Sequence, residues 1–146
     1  MRAITTLIAT LCLVVCATDA SAHGYKRKSI EIVHPWTGDE TEAGGRDAIV
    51  CMDIRNSGAE ADRLVSATST IAERVEIRTS SEPLPKGIEI APRGRVDLTA
   101  KTQHLRLIGL KKSLTAYDTL PVTLIFQRAG RIKIDVLVEE TSEGGS

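Results

Sequence analysis

The sequence predicts an all-β fold, an antiparallel β-sandwich, and three observations support this prediction. Apolar residues recur mostly at every second position, which is the spacing that places side chains on one face of a strand. Turn-forming residues interrupt these runs at intervals of about eight to twelve residues, as in sandwiches and small barrels. No amphipathic pattern continues for more than about two helical turns. We therefore expect roughly seven to nine short strands.

The predicted strands follow one another with a clear turn signal between most of them. Pro121 indicates a strand start or an edge strand, because proline cannot donate to a ladder. Since aromatic residues are few, Trp36 is predicted to be the largest side chain of the core. In chain order, the alternating apolar residues are Ile30 and Ile32; Ile49 to Ile54; Val75 and Ile77; Ile88 and Ile90; Val96 and Leu98; Leu105 and Leu107; Leu120, Val122, Leu124 and Phe126; and Ile132, Ile134, Val136 and Val138. The turns are predicted at Gly44-Gly45, Asn56-Ser57-Gly58, Pro85-Lys86-Gly87, Arg93-Gly94 and Ala129-Gly130.

Residues 1–22 have the pattern of a signal peptide. Arg2 precedes an apolar run from Ile4 to Cys16, and Ala20-Ser21-Ala22 supplies the small residues of a cleavage site. The run is shorter than the roughly 20 residues that span a bilayer, and no later segment is long and apolar enough to do so. Lipid attachment at Cys16 is not expected, because the residue before it is not small. We expect cleavage after Ala22, a periplasmic or secreted location and a soluble mature protein.

The remaining chain is predicted to form one β domain, residues 23–139, followed by a polar tail, residues 140–146. The formal net charge of the whole chain is zero, which provides no basic surface for nucleic acid or an anionic membrane. Cys51 is the only cysteine that remains after cleavage, so no intramolecular disulfide can form. Its apolar neighbours favour a buried side chain over a reactive thiol.

Enzymatic templates are missing from the sequence. It contains no zinc-protease helix motif, no glycine-rich phosphate loop, no nucleophile elbow and no paired-cysteine motif. Acidic residues mostly alternate with apolar ones or lie in turns, as on solvated strand faces. We predict that the protein is not an enzyme and assign no catalytic residue.

Six short motifs, in this order along the chain, resemble those of a known protein family. The resemblance covers nearly the whole mature chain and is to PCu(A)C, a family of periplasmic copper chaperones. It implies a cupredoxin-like β-sandwich and a carrier that hands Cu(I) to a periplasmic copper-accepting or oxidase-assembly protein. The motifs are His34-Pro35-Trp36, Arg55-Asn56-Ser57-Gly58, Asp62-Arg63-Leu64-Val65, Ala72-Glu73-Arg74-Val75-Glu76-Ile77, His104-Leu105 and Leu120-Pro121-Val122-Thr123-Leu124-Ile125-Phe126.

The resemblance also implies a ligand set that this chain mostly lacks. The family's site is similar to a His, a Met roughly ten residues later and a His-x-Met pair on a later strand, which together suit Cu(I). Arg78 occupies the first His position, the segment 79–90 is shortened and contains no Met, and Arg106 replaces the last Met. Guanidinium groups cannot ligate a metal. His104 is the single matched ligand, and whether segment 79–90 supplies a replacement is left open.

Strand parity places the candidate residues on one face. Because Leu105 and Leu107 are predicted to face the core, His104 and Arg106 face outward. Arg78 likewise points away from the apolar residues of its own strand. We therefore expect His104 to be exposed, as ligand exchange between carriers requires.

Two other histidines and a methionine are weighed as copper ligands. Cleavage after Ala22 makes His23 the N-terminus, where its amine and imidazole can chelate Cu(II) together. The alternative is that His23 simply begins a polar, unstructured lead. Met52 is interpreted as a core residue and His34 as a packed residue at a strand end.

The leading hypothesis is thus a copper carrier with a degenerate site. The alternative is a module without metal, which docks an anion or a partner through Arg78 and Arg106, since paired arginines recognise carboxylates and phosphates. A simpler interpretation is that Glu76, Glu82 or Glu89 forms surface ion pairs with these arginines, each contributing at most about 1 kcal/mol.

Overall fold

The computed structural model describes residues 24–38 and 46–140, and within these ranges every regular element is a strand. The signal peptide, His23, the predicted Gly44-Gly45 turn and residues 141–146 lie outside the described residues. The strands are β1 (Gly24–Arg27), β2 (Ile30–Gly38), β3 (Ala48–Asn56), β4 (Asp62–Thr68), β5 (Ala72–Arg78), β6 (Ile88–Ile90), β7 (Arg95–Leu98), β8 (His104–Leu110), β9 (Thr119–Phe126) and β10 (Gly130–Glu139).

All ten strands belong to one sheet that rolls into a near-barrel. The order along the sheet is β5-β8-β3-β2-β10-β9-β4-β6, with β1 beside β2 and β7 beside β3. Every pairing is antiparallel except that of β10 with β2. Strand β4 contacts β5, which brings the two ends of the sheet together. The predicted all-β, cupredoxin-like fold is confirmed.

The core is aliphatic and follows the period-two pattern of the sequence. In β10, Ile132, Ile134 and Val136 are buried, whereas Lys133 and Asp135 between them are exposed. Burying such a side chain contributes about 1.5–3 kcal/mol, so the alternation holds each strand in its register. The strands that carry the candidate site are fixed in the same way, because Leu105 and Leu107 of β8 are completely buried.

A bulge in β2 makes the prediction for Trp36 wrong. The register with β3 shifts between Val33 and Trp36, and His34 adopts a positive φ of 50°. The shift moves the following side chains to the opposite faces of the sheet, so Thr37 is buried and Trp36 is only partly buried, outside the core. His34, predicted to be packed, is exposed, and its Nε2 lies 2.7 Å from Oε1 of Glu139.

Strand β1 was not predicted, because the lead that contains it is polar and shows no alternation. Its pairing with β2 is supported by Tyr25, whose hydroxyl accepts a 2.9 Å hydrogen bond from the backbone amide of Asp135. The lead is therefore held by hydrogen bonds across the sheet and by Tyr25, which also packs against the core.

Candidate functional site

The candidate site lies on the outer face of β5, β8 and β3. In the β5–β8 ladder, Arg78 is directly opposite His104, and Glu76 is directly opposite Arg106. Directly opposed residues of antiparallel strands have Cβ atoms about 4.5–5.5 Å apart. The matched family ligand and the arginine at the first His position are therefore immediate neighbours.

His104 is on the outer face but is not exposed, contrary to the prediction. Its relative exposure is 3%, and its Nδ1 is a buried atom with no hydrogen-bond partner among the described residues. Burial lowers the pKa of His104, backbone hydrogen bonds to Thr99 and Thr102 oppose this shift, and the charges of Arg78 and Arg106 add to it. The imidazole is thus neutral near pH 7, the form that can ligate a metal.

A short loop between β7 and β8 covers His104. The backbone amide of Thr99 donates to the carbonyl of Gln103 at 3.0 Å, and that of Thr102 donates to the carbonyl of Thr99 at 3.2 Å. The hydroxyls of Thr99 and Thr102 also lie 2.8 Å apart. The alternation along a strand predicts which face of the sheet a side chain lies on, but not whether a loop covers that face. The exposure predicted for His104 is wrong because this loop covers it.

Both arginines of the predicted face contact carboxylates. Nη1 of Arg78 donates to Oε2 of Glu76 at 3.0 Å, and Glu76 also accepts from Arg74. These contacts, with Arg78 first, lower the pKa of Glu76. Arg106 donates through Nε and Nη2 to Oδ2 of Asp47, at 3.2 Å and 3.0 Å. Glu76 was among the expected partners, whereas Asp47 precedes β3 in a stretch with no pattern to place it.

Segment 79–90 contains no His, Cys or Met in its sequence. Its first part is a turn that begins at Thr79, whose Oγ1 accepts a hydrogen bond from the backbone amide of Glu82 at 3.1 Å. Its last part is β6, which pairs with β4 at the other end of the sheet order from β5 and β8. Glu89 therefore lies away from His104, and this segment brings no soft ligand to it.

Cys51 is buried on the same outer face, with a relative exposure of 5%, as predicted. Burial raises the pKa of its thiol, a backbone hydrogen bond to Ala100 opposes the shift, and the charge of Asp97 adds to it. A cavity of about 210 Å³ is lined by Cys51 together with Trp36, Thr99 and Ala100. The thiol is free.

His34 and Met52, the remaining candidates among the described residues, line the same cavity as Cys51 but are not paired with His104. His23 lies outside the described residues, and His34 is exposed and contacts Glu139. Met52 is 2% exposed and belongs to the core, as predicted. Within residues 24–38 and 46–140, no group of three or more His, Cys, Asp or Glu side chains could hold a metal ion.

Known structures resemble this fold over most of its length. The copper-bound PCuAC domain from PmoF2 is 29% identical, with a TM-score of 0.73 over 81% of this chain and 98% of that domain. The apo PCuAC domain from PmoF1 is 24% identical with the same TM-score, over 81% of this chain and 99% of that one. The solution structure of CuI-DR1885 from Deinococcus radiodurans is 21% identical, with a TM-score of 0.66 over 88% and 89% of the two chains. The last two comparisons, at this identity, show the fold alone.

The fold defines a domain of the PCuAC class, and the predicted resemblance is confirmed. Within that class, the chain belongs to the LpqE-like family, described as "Putative lipoprotein LpqE-like", whose model matches residues 30–138. No curated protein sequence matches the chain. The described residues include no helix long and apolar enough to cross a membrane.

Proposed function

We propose that this protein is an exported copper carrier of the PCuAC class, with His104 as its retained ligand. The observation that carries the proposal is the imidazole itself. His104 matches a family ligand, is neutral near pH 7, and has a buried Nδ1 without a partner among the described residues. A buried nitrogen without a hydrogen bond costs free energy, and a bound ion removes that cost. The copper named for the PmoF2 domain supports the choice of metal.

The family's complete ligand set does not fit this chain. Arg78 and Arg106 occupy two of the ligand positions, and neither guanidinium has a lone pair to offer. Copper must therefore be held differently from the way the resemblance implies. The protein would act as a carrier and not as an enzyme, passing its ion to a periplasmic copper-accepting or oxidase-assembly protein.

Export and the mature N-terminus belong to the same proposal. Residues 1–22 have the pattern of a signal peptide, and membership of a family described with lipoproteins agrees with export. Because the residue before Cys16 is Val15, we place cleavage after Ala22 and no lipid on Cys16. His23 then becomes the N-terminus and a second candidate ligand, for Cu(II).

The test is a chelator-competition titration of the mature protein, beginning at His23, with Cu(I) and Cu(II) separately. We expect His104→Ala to weaken Cu(I) binding at least about tenfold, which corresponds to about 1.4 kcal/mol. His34→Ala is the comparison variant, because His34 lines the cavity beside Cys51 but its Nε2 contacts Glu139. Adding one residue before His23 should abolish only Cu(II) binding. Wild-type protein that binds neither ion would contradict the proposal.

Docking through Arg78 and Arg106 remains the alternative outcome of that titration. It has less support, since both guanidinium groups already contact carboxylates. A protein that holds no copper but binds an acidic partner, and loses that partner when Arg78 and Arg106 are replaced, would favour it.

A further inference from the structure

Cys51 and His104 occupy neighbouring positions on the outer face of the sheet. The β3–β8 ladder pairs Val50 with Leu105, and extending this register by one residue aligns Cys51 with His104. Val50 and Leu105 are both completely buried, so the residues next to them point to the outer face together. The thiol and the imidazole therefore lie on the same side of two adjacent strands.

One loop covers both side chains. Beyond Cys51, strand β3 pairs with β7 instead of β8, beginning with Met52 opposite Leu98. The chain between β7 and β8 thus leaves the sheet opposite Cys51. Ala100 of this loop forms a backbone hydrogen bond with Cys51, and Thr99 of the same loop interacts with His104. Because the same loop contacts both Cys51 and His104, it is independent support for placing the two side chains next to each other.

Each side chain has an atom suited to a soft ion, although the Cys51 thiol also has a backbone hydrogen bond with Ala100. His104 keeps Nδ1 buried and without a partner among the described residues, and Cys51 is a free thiol. Thiolate sulfur and imidazole nitrogen are ligands that Cu(I) accepts, and thiolate favours it over harder ions. Two such ligands are enough for Cu(I), so the lack of a larger cluster among the described residues does not count against a site here.

The position of Cys51 places the ion farther from one of the two arginines that face the family's site. In the sheet order β5-β8-β3, His104 lies between Arg78 on one side and Cys51 on the other. An ion held between Cys51 and His104 is therefore one strand farther from Arg78. The cavity of about 210 Å³ reaches Cys51, Trp36 and Ala100, and His104 is not among its lining residues.

We propose that Cys51 Sγ and His104 Nδ1 form a two-coordinate Cu(I) site, displaced by one strand from the family's site. On binding, the thiol releases its proton to solvent as the sulfur–copper bond forms, and no electron is transferred. This proposal rests on the proposed copper-carrier function and names the second ligand that function requires.

The experiment compares Cys51→Ser with wild-type protein in the Cu(I) titration. We expect at least a hundredfold weaker binding and loss of the ultraviolet thiolate-to-copper charge-transfer band. Met52→Leu is the matched control, since it removes the adjacent sulfur at nearly constant volume and should change neither signal. Cys51→Ala provides a second variant if the serine is not tolerated in this buried position.

X-ray absorption of the Cu(I)-loaded wild-type protein gives a readout that needs no substitution, and we expect one sulfur and one nitrogen neighbour. Wild-type protein that fails to bind Cu(I) would overturn the copper-carrier function itself. Wild-type binding with unchanged affinity in Cys51→Ser, or with weakened affinity only in Met52→Leu, would overturn this inference and leave the function intact.

Discussion

Two substituted residues separate this chain from the ligand set that its resemblance implies. Arg78 lies directly opposite His104, and Arg106 lies two residues after His104 on β8. Each is held by a carboxylate, Glu76 for the first and Asp47 for the second. Both arginines, at positions where the resemblance implies ligands, therefore form ion pairs.

Restoring the ligands should restore the affinity. The double variant Arg78→His with Arg106→Met places an imidazole opposite His104 and a thioether two residues along, and we expect Cu(I) affinity to rise at least tenfold in chelator competition. The matched control is Arg55→His with Arg95→Met, a second arginine pair, directly opposed on β3 and β7. Equal affinities in both double variants and the wild type would show that the replaced positions no longer face an ion.

At the scale of elements, one buried carboxylate joins two parts of the sheet. Asp62, at the start of β4, is 5% exposed. Its Oδ1 accepts hydrogen bonds from the backbone amides of Arg63 at 2.7 Å and Arg128 at 2.8 Å, and its Oδ2 accepts from that of Ala129 at 2.9 Å. The turn between β9 and β10 is therefore fastened to β4 through backbone donors that would otherwise have no partner.

Removing this carboxylate should destabilise the whole domain. We expect Asp62→Ala to lower the free energy of unfolding by about 2–4 kcal/mol, because buried amides then lose their acceptor. Urea denaturation measures the change through the transition midpoint. Asp135→Ala, at an exposed position of β10, should stay within about 0.5 kcal/mol of wild type. Similar losses in the two variants would rule out a special role for Asp62.

At the scale of the whole molecule, a buried neutral histidine links folding to pH. The pKa of His104 is lowered in the folded protein, so below about pH 6.5 the unfolded chain binds a proton that the folded chain does not. This contribution to stability is fully present above pH 6.5 and is lost as the pH falls towards the lowered folded pKa. The groups around His104 are Arg78, Arg106, the backbone of the covering loop and Cys51, and burial raises the pKa of the Cys51 thiol, which stays neutral in this pH range and does not reverse the sign.

The prediction concerns apo protein, unfolded by urea at a series of pH values between about 7 and 5. We expect wild-type stability to fall more steeply than that of His104→Gln, whose side chain does not titrate in this range. A slope that is unchanged in His104→Gln would mean that His104 is protonated equally in the folded and unfolded states.

The sequence by itself determined the fold class, most strands, the burial of Cys51 and Met52, and the family resemblance. These features depend on the alternation of apolar residues, on turn residues and on residue chemistry, all of which are properties of short stretches of sequence. Only the tertiary structure decided the bulge that turns Trp36 outward, the loop that covers His104, and the placing of Cys51 beside it. Those features depend on register and pairing between strands far apart in sequence, where a shift of one residue moves a side chain to the other face.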